Sequence, residues 1–423
     1  MNNFFFILGR DPALSIAEII SVLNRLSVKH SPKYFSQEVL IIETETDLSK
    51  MTLMNILGGT VKFGKVISEV GLDEDEKKFE EVISAESLRK NFLPVYLGKL
   101  HTGISIYDAG GEKLLLSSLT DQLKNLNLTV KKNLQAAGLK VGFVQIKDRY
   151  LSSVSVEKNE LLKKGAEIVF LVARDKVLVG KTLGVQKFAE FTFRDMARPE
   201  KDKRSGIMPP KLARMMINLS ETGSEGVLLD PYCGSGTILL EAITMGHKQI
   251  HGTDISKKAV SDSQKNIHWL LGHIHDLERL SYNIKIGEAD ARRLSEKFSR
   301  NSIDAIVAEP YLGPPFFEKP KFATVSRILP ELGSLYLAAF SQFGKILKKD
   351  GKVVIISPAF NIEGKWQFMD ILPQIHRNGF VQKDLLPSTM QPLYPAYQKD
   401  RRSVVYGGKE QFVRREILVF QKI

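Results

Sequence analysis

Four short segments place acids beside glycine or proline in patterns that suit a positively charged donor and an amine acceptor. The first reads Val227-Leu228-Leu229-Asp230-Pro231-Tyr232-Cys233-Gly234-Ser235-Gly236-Thr237: an apolar run, an acid, a glycine-rich turn and the start of a helix. Glycine lets the backbone approach a ligand closely, and the N–H groups of a helix start face it. A dinucleotide fingerprint would carry a third glycine at position 239, where this chain has Leu239. No glycine-Lys-Ser/Thr ending follows for a nucleoside triphosphate. An acid in such a corner fits a ligand without pyrophosphate. The sulfonium and amino group of S-adenosylmethionine suit Asp230, with Cys233, Gly234, Ser235, Gly236 and Thr237 forming the turn. The other reading is an ordinary strand–turn–helix corner.

Asp254 lies 24 residues after Asp230, in Gly252-Thr253-Asp254-Ile255. Acids at about that spacing bind ribose hydroxyls, which puts Asp254 and Ile255 at the cofactor; the alternative is a helix N-cap. Gly287-Glu288-Ala289-Asp290-Ala291 offers Asp290, with Ala291, as an acceptor for an adenine exocyclic amine, or else a surface-loop acid. The fourth segment, Asp304 to Pro315, contains Glu309, Pro310 and Tyr311 after an apolar run. An acid there can bond an exocyclic amine and orient its lone pair. Proline stiffens the loop, and an aromatic ring can stack on an extruded base. The alternative is a buried loop with a structural glutamate.

The elements that must position these acids follow from hydrophobic periodicity. Short apolar runs at Val227–Leu229, Ile250–Gly252, Ile284–Ile286, Ile303–Val307 and Val353–Ile356 alternate with helical segments, and Glu416–Gln421 adds a last strand. That alternation predicts an α/β fold, a Rossmann-like domain over 209–423 with a parallel sheet and helices on both faces. Pro209-Pro210 opens its first helix. Residues 1–65 predict a small α/β unit, with strands at Phe4–Leu8, Val39–Ile42 and Val61–Val66. Ser15 and Glu18 form a capping-box pattern before a helix. Residues 66–180 predict a second, α+β domain, with strands at Val95–Leu97, Ile104–Tyr107 and Val141–Ile146. Ser152 or Ser153 caps a helix in it, and a hairpin turns at Arg174-Asp175. Residues 181–208 carry charge without periodicity and read as a linker.

Charge is distributed unevenly. Residues 1–121 hold 13 Lys/Arg against 17 Asp/Glu, residues 122–204 hold 18 against 9, and residues 205–423 hold 29 against 22. A basic middle and C-terminal half point to a polyanionic partner, or to a solvated basic face. Lys131, Lys132, Lys140, Lys147, Arg149, Lys158, Lys163, Lys164, Arg194 and Arg198 are the candidate RNA phosphate contacts. The eight histidines show no metal spacing, so no metal is expected. Cys233 is the single cysteine, which excludes an internal disulfide and predicts a reducing, cytoplasmic setting. No apolar stretch reaches the roughly 20 residues a membrane helix needs.

At these motifs the chain resembles the tRNA guanine-N2 methyltransferases that modify guanine-10 in archaea and in the eukaryotic cytoplasm. The resemblance runs through Phe6-Ile7-Leu8-Gly9-Arg10-Asp11-Pro12, Leu57-Gly58-Gly59-Thr60-Val61-Lys62 and Lys164-Gly165-Ala166-Glu167-Ile168-Val169. It continues in Arg198-Pro199, Ser205 to Ala213 and Gln411 to Ile417. It implies a ferredoxin-like domain over 1–65, a THUMP domain over 66–180 that grips the tRNA acceptor end, and a methyltransferase domain over 209–423. It also implies a catalytic chain acting as a monomer; whether a small activating subunit joins it stays open. Asp230, Gly234, Gly236, Asp254 and Asp290 would contact the cofactor. The family's amine-methylating motif reads Asp-Pro-Pro-Tyr-Gly, and here the aligned residues are Glu309-Pro310-Tyr311-Leu312-Gly313. The leading expectation is methyl transfer to a guanine amine of tRNA. The alternatives are a tRNA-binding protein with a degenerate methylase domain, or a DNA amino-methyltransferase.

Overall fold

Short β-rich runs cannot hold themselves together and must pair edge to edge. A computed structural model describes residues 1–71, 76–145, 148–201, 208–273, 282–408 and 410–423. In its first half, eight strands pair into one sheet. They are Asn2–Leu8 (β1), His30–Phe35 (β2), Val39–Thr44 (β3), Thr60–Gly71 (β4), Leu100–Asp108 (β5), Val141–Phe143 (β6), Gly165–Val172 (β7) and Lys176–Val185 (β8). Their order is β2-β3-β1-β4-β8-β7-β5-β6. Strands β6, β5 and β7 run parallel, and the other neighbours run antiparallel. The hairpin at Arg174-Asp175 is present, with Val172 opposite Val177. Helix Leu123–Ala136 lays Leu126, Val130 and Leu134 on Ile104, Ile168 and Phe170 of this sheet.

The chain divides into two units. One comprises Met1–Pro12, Ser27–Asn55 and Gly59–Phe188; the other comprises Ala13–Leu26, Ile56–Gly58 and Ala189–Ile423. The boundary drawn at 65/66 therefore falls inside β4, which pairs with β1 and with β8. The first helix, Pro12–Arg25, lies almost wholly in the second unit. Glu18 explains why: its buried carboxylate accepts from the Gly58 N–H and from Asn218 Nδ2, each at 2.7 Å. Ser15 is not the N-cap expected of it. The helix opens at Pro12, whose fixed φ suits a first turn, and Ser15 lies buried inside it.

Val95–Leu97 is not a strand; both end residues are fully exposed and the stretch is irregular. Strand β2, with Pro32 in it, had no apolar signature, and an edge position tolerates the missing N–H. The linker expected at 181–208 is largely ordered. Its first residues finish β8 and Phe188–Met196 is a helix, while 202–207 lie outside the described residues.

The second unit has a ten-stranded sheet built on Val227–Asp230 (β9), Gln249–Asp254 (β10), Asn283–Glu288 (β11), Ile303–Ala308 (β12) and Leu347–Ile362 (β13). These five are parallel, in the order β11-β10-β9-β12-β13. Lys365–Gln367 (β14), Phe380–Gln382 (β15), Tyr397–Gln398 (β16), Ser403–Tyr406 (β17) and Val413–Lys422 (β18) then extend the sheet antiparallel. Chain order steps from β9 outward to β11 and returns to β12 on the other side of β9. That switch opens a crevice at the carboxyl ends of β9 and β12. Among the described residues, no helix is long and apolar enough to cross a membrane.

Candidate active site

The register places the four acidic segments on one sheet edge. Asp230 ends β9 opposite Gly252 of β10, and Asp254 ends β10 opposite Glu288 of β11. Leu229 lies opposite Ile306, so Glu309 leaves β12 beside the corner that leaves β9. Burial follows from the same geometry: the strands are covered on both faces, and Asp230 is 1% exposed.

The corner itself is a tight turn. Gly234 and Gly236 have φ of +52° and +87°, a region that side chains with a Cβ rarely adopt. Open space surrounds Gly234 where a Cβ would point. Asp254 ties this loop down, accepting from Gly234 N at 3.0 Å and from Ser256 N at 2.9 Å. It closes a turn ahead of the next helix, whose cap is Ser256, accepting from Ala259 N at 3.3 Å, while each Asp254 carboxylate oxygen keeps a further lone pair. Asn266 braces the corner from the helix Lys257–His273, donating to the Ser235 carbonyl at 2.8 Å and the Glu200 carbonyl at 2.9 Å.

Asp230 accepts from Tyr232 N at 3.1 Å and has no cationic partner among the described residues. Burial drives its carboxyl well above the usual carboxylate range; the Tyr232 bond works against this, and nearby Asp254 and Glu309 add to it. Burial likewise pushes up the Tyr232 hydroxyl and the Cys233 thiol. The Tyr232 hydroxyl is buried with no hydrogen-bond partner among the described residues. A buried acid without a cation, an orphaned hydroxyl and an open glycine turn fit a cationic amino-acid-bearing nucleoside such as S-adenosylmethionine.

Four more of the expected contacts are arranged differently. Asp290 caps the short helix Ala291–Glu296 and is held by Arg292, whose hydrogen bond lowers its carboxyl below the usual range. The acceptor role expected of it is thus already filled by that arginine. Ala291 is buried, whereas Ile255 is 64% exposed and presents an apolar surface on the same edge. Thr237, the first residue of the helix Thr237–Thr244, is nearly buried and accepts from Arg198.

On the opposite side of the crevice, Glu309 is half-buried and Pro310 buried, while Tyr311 is 56% exposed. Arg415 of β18 donates from Nε to Glu309 Oε1 at 2.6 Å. No other hydrogen bond to Glu309 occurs among the described residues. The Tyr336 hydroxyl braces the loop through the carbonyls of Ile356 at 3.0 Å and Tyr311 at 3.4 Å. Sequence reasoning missed Arg415, Tyr336 and Asn266. Each reaches the site from a distant element, and nothing local in the sequence marks them.

The candidate RNA contacts separate into two groups. Arg194 and Arg198 are both 2% exposed and cannot meet a phosphate at the surface. Arg194 forks onto the buried Glu241, which also receives Arg214. Lys132, Lys140, Lys158 and Lys163 are exposed; Lys131, Arg149 and Lys164 are half-buried, with Arg149 paired to Glu38 and Lys164 to Glu160. Lys147 lies outside the described residues. Parallel pairing adds one lysine that the sequence reading passed over. Lys99, Lys140 and Lys164 immediately precede β5, β6 and β7, so the three start one edge of that sheet side by side.

Residues 198–360 match the family described as RMKL-like, methyltransferase domain, and residues 99–265 match one described as DNA methylase. A 160-residue stretch is 35% identical to tRNA (guanine(10)-N2)-dimethyltransferase of Methanothermobacter thermautotrophicus, covering 37% of this chain and 42% of that one. Another, of 149 residues, is 30% identical to a probable tRNA (guanine(10)-N2)-dimethyltransferase of Methanothermococcus thermolithotrophicus, covering 35% of this chain and 79% of that one. The chain spans about a third to a half of the length of the first curated relatives it matches, from 35% to 50%. Its fold is similar to the crystal structure of TrmN from Thermus thermophilus, with a TM-score of 0.52, 14% identity and 100% of both chains covered.

Proposed function

The chain belongs to the tRNA (guanine(10)-N2)-dimethyltransferase family, and on that footing we propose that it transfers methyl groups from S-adenosylmethionine to the exocyclic N2 amine of a guanine in tRNA. One observation carries the reading: Glu309 and the Gly234–Gly236 corner leave neighbouring parallel strands at the same edge. A donor held by one loop then faces an amine held by the other.

S-adenosylmethionine supplies a methyl group on a positively charged sulfur. The chain's own residues do the rest. Asp230 offers a buried carboxyl whose ionised form a bound cation favours. Gly234 gives the ligand room, Gly236 lets the turn pack closely on Ser263, and Ile255 offers apolar contact to the ligand's base. Tyr311 stacks on the flipped guanine, and Pro310 keeps the loop stiff. Glu309 accepts a hydrogen bond from the amine, which localises the nitrogen lone pair toward the methyl and takes up the proton released as the N–C bond forms. Much of the acceleration comes from holding the two reactants in line. The basic face of the first unit, including the lysine edge, meets the tRNA phosphates, as a THUMP domain does. The buried lone thiol suits a reducing cytoplasm, and a single chain contains all the groups named.

The test is mass spectrometry of nucleosides from tRNA incubated with the protein and methyl-labelled donor. Labelled N2-methyl- or N2,N2-dimethylguanosine is the expected product. Binding of donor and tRNA without incorporation into any tRNA would instead identify a non-catalytic RNA-binding protein, a reading that the glutamate in place of the family's aspartate motivates.

A further inference from the structure

The three most exposed aromatic rings among the described residues belong to one stretch of chain. Phe317 is 96% exposed and Phe322 58%, and Tyr311, already set against the flipped guanine, is 56%. The stretch joins β12 to the helix Phe322–Ile346, which leads into the parallel β13. Such a crossover starts where β12 ends. Phe317 and Phe322, the first residue of that helix, therefore stand at the carboxyl edge that carries Glu309.

A lone exposed ring needs no account, but several in one loop do. The backbone beneath them is fastened. The Tyr336 hydroxyl donates to the Tyr311 carbonyl. Phe316 turns inward, its ring edge-on to that of Phe360 of β13 at 5.9 Å, and packs in a cluster with Val325 and Ile362. Pro320 is buried, and Pro314, Pro315 and Pro320 each fix a φ angle. Phe317 is thus held out in solvent between two anchors, Phe316 and Pro320. The charges around it are mostly positive. Lys319, Lys321 and Arg327 are exposed, with Glu318 the single acid among them, and their side chains form no ion pair among the described residues. Rings with free faces among unpaired cations fit unstacked bases on a phosphate backbone. The adjoining site supplies such bases, because drawing one guanine out of a stack uncovers the faces of its neighbours.

We propose that Phe317 and Phe322 form a stacking platform for unpaired nucleotides adjoining the target guanine, with Lys319 and Lys321 on their phosphates. Unlike Tyr311, these two rings do not meet the reacting base. They select an RNA in which the neighbours of the target are free of a duplex. The inference rests on the methyl-transfer reading above for what the adjoining site holds.

Fluorescence anisotropy of the full chain with a short labelled oligouridylate, and with an abasic strand of the same length that keeps the phosphates and lacks the bases, tests it. Phe317→Ala combined with Phe322→Ala should weaken the oligouridylate roughly 5- to 100-fold and leave the abasic strand unchanged, with Phe317→Trp close to wild type. Lys319→Ala combined with Lys321→Ala should weaken both strands by the same factor. An unchanged Tm shows that the ring variant is folded. Equal weakening of both strands by the ring variant, or of neither, overturns the platform. Ring-dependent binding to phosphatidylserine vesicles in place of the oligouridylate would assign the rings to a lipid surface and overturn it as well. The labelled-donor assay keeps the two readings apart: ring-dependent binding without methyl incorporation strikes the transfer and leaves the platform, and incorporation without ring-dependent binding does the reverse.

Discussion

Glu309 reaches one methylene further than the aspartate of the family motif, and Arg415 takes up that reach. A bond from Nε to Oε1 at 2.6 Å pulls one oxygen toward β18 and leaves the other for an amine. On the proposed methyl-transfer reading the pair is positional: Arg415 would act on the substrate only through Glu309. Glu309→Ala should lower kcat at least about a hundredfold, the order seen when one preorganised hydrogen-bonding group is lost. Arg415→Met should lower kcat roughly tenfold or more through misplacement, and Arg415→Lys should recover part of it. Donor affinity should stay close to wild type in all three. Single-turnover rates beside titration with S-adenosylhomocysteine check this; parallel losses in rate and affinity would make the pair merely structural.

At the scale of elements, the first sheet holds an ion pair in its interior. Lys62 of β4 bonds Glu167 of β7, both essentially unexposed, and the hydroxyls of Ser105 and Thr182 also donate to Glu167. Burial lowers the Lys62 ammonium, and Glu167 opposes that shift. Glu167→Ala should therefore cost about 3–5 kcal/mol, because it strands a buried ammonium, whereas replacing both by Met and Leu should cost far less. Denaturant unfolding of the two variants decides it. A loss below about 1 kcal/mol in the single variant would mean that water reaches Lys62.

For the molecule as a whole, nucleic acid is the partner its charge suits, and the lysine edge is where one sheet concentrates that charge. Replacing Lys99, Lys140 and Lys164 by alanine should weaken tRNA binding and flatten its dependence on salt, by roughly 0.7–0.9 in log–log slope for each phosphate no longer neutralised. Filter binding across a salt series reads both, with duplex DNA as the comparison. An unchanged slope would move the RNA surface elsewhere; tighter binding to the duplex would favour a DNA methylase.

Local patterns in the chain were enough for most of the central strands and for the ends of strands where chemistry gathers, but not for the edge strand β2 or the helix Phe188–Met196. Asp230, Asp254 and Glu309 each follow an apolar run, and strand alternation alone puts such residues at the carboxyl edge of a parallel sheet. The turn glycines, the hairpin at Arg174-Asp175 and the opening of the helix at Pro210 were legible for the same reason, since each depends on a few adjacent residues. Only the tertiary structure decided which charges are buried and what they touch. Arg194 and Arg198 look in sequence like any surface cations, and Glu18 like half of a capping box. Arg415 meets Glu309 across 106 residues of chain, and the three edge lysines come together because β7, β5 and β6 pair in parallel. Pairing between distant strands leaves no periodic trace in either strand, because a register is a property of two segments and the sequence presents them one at a time.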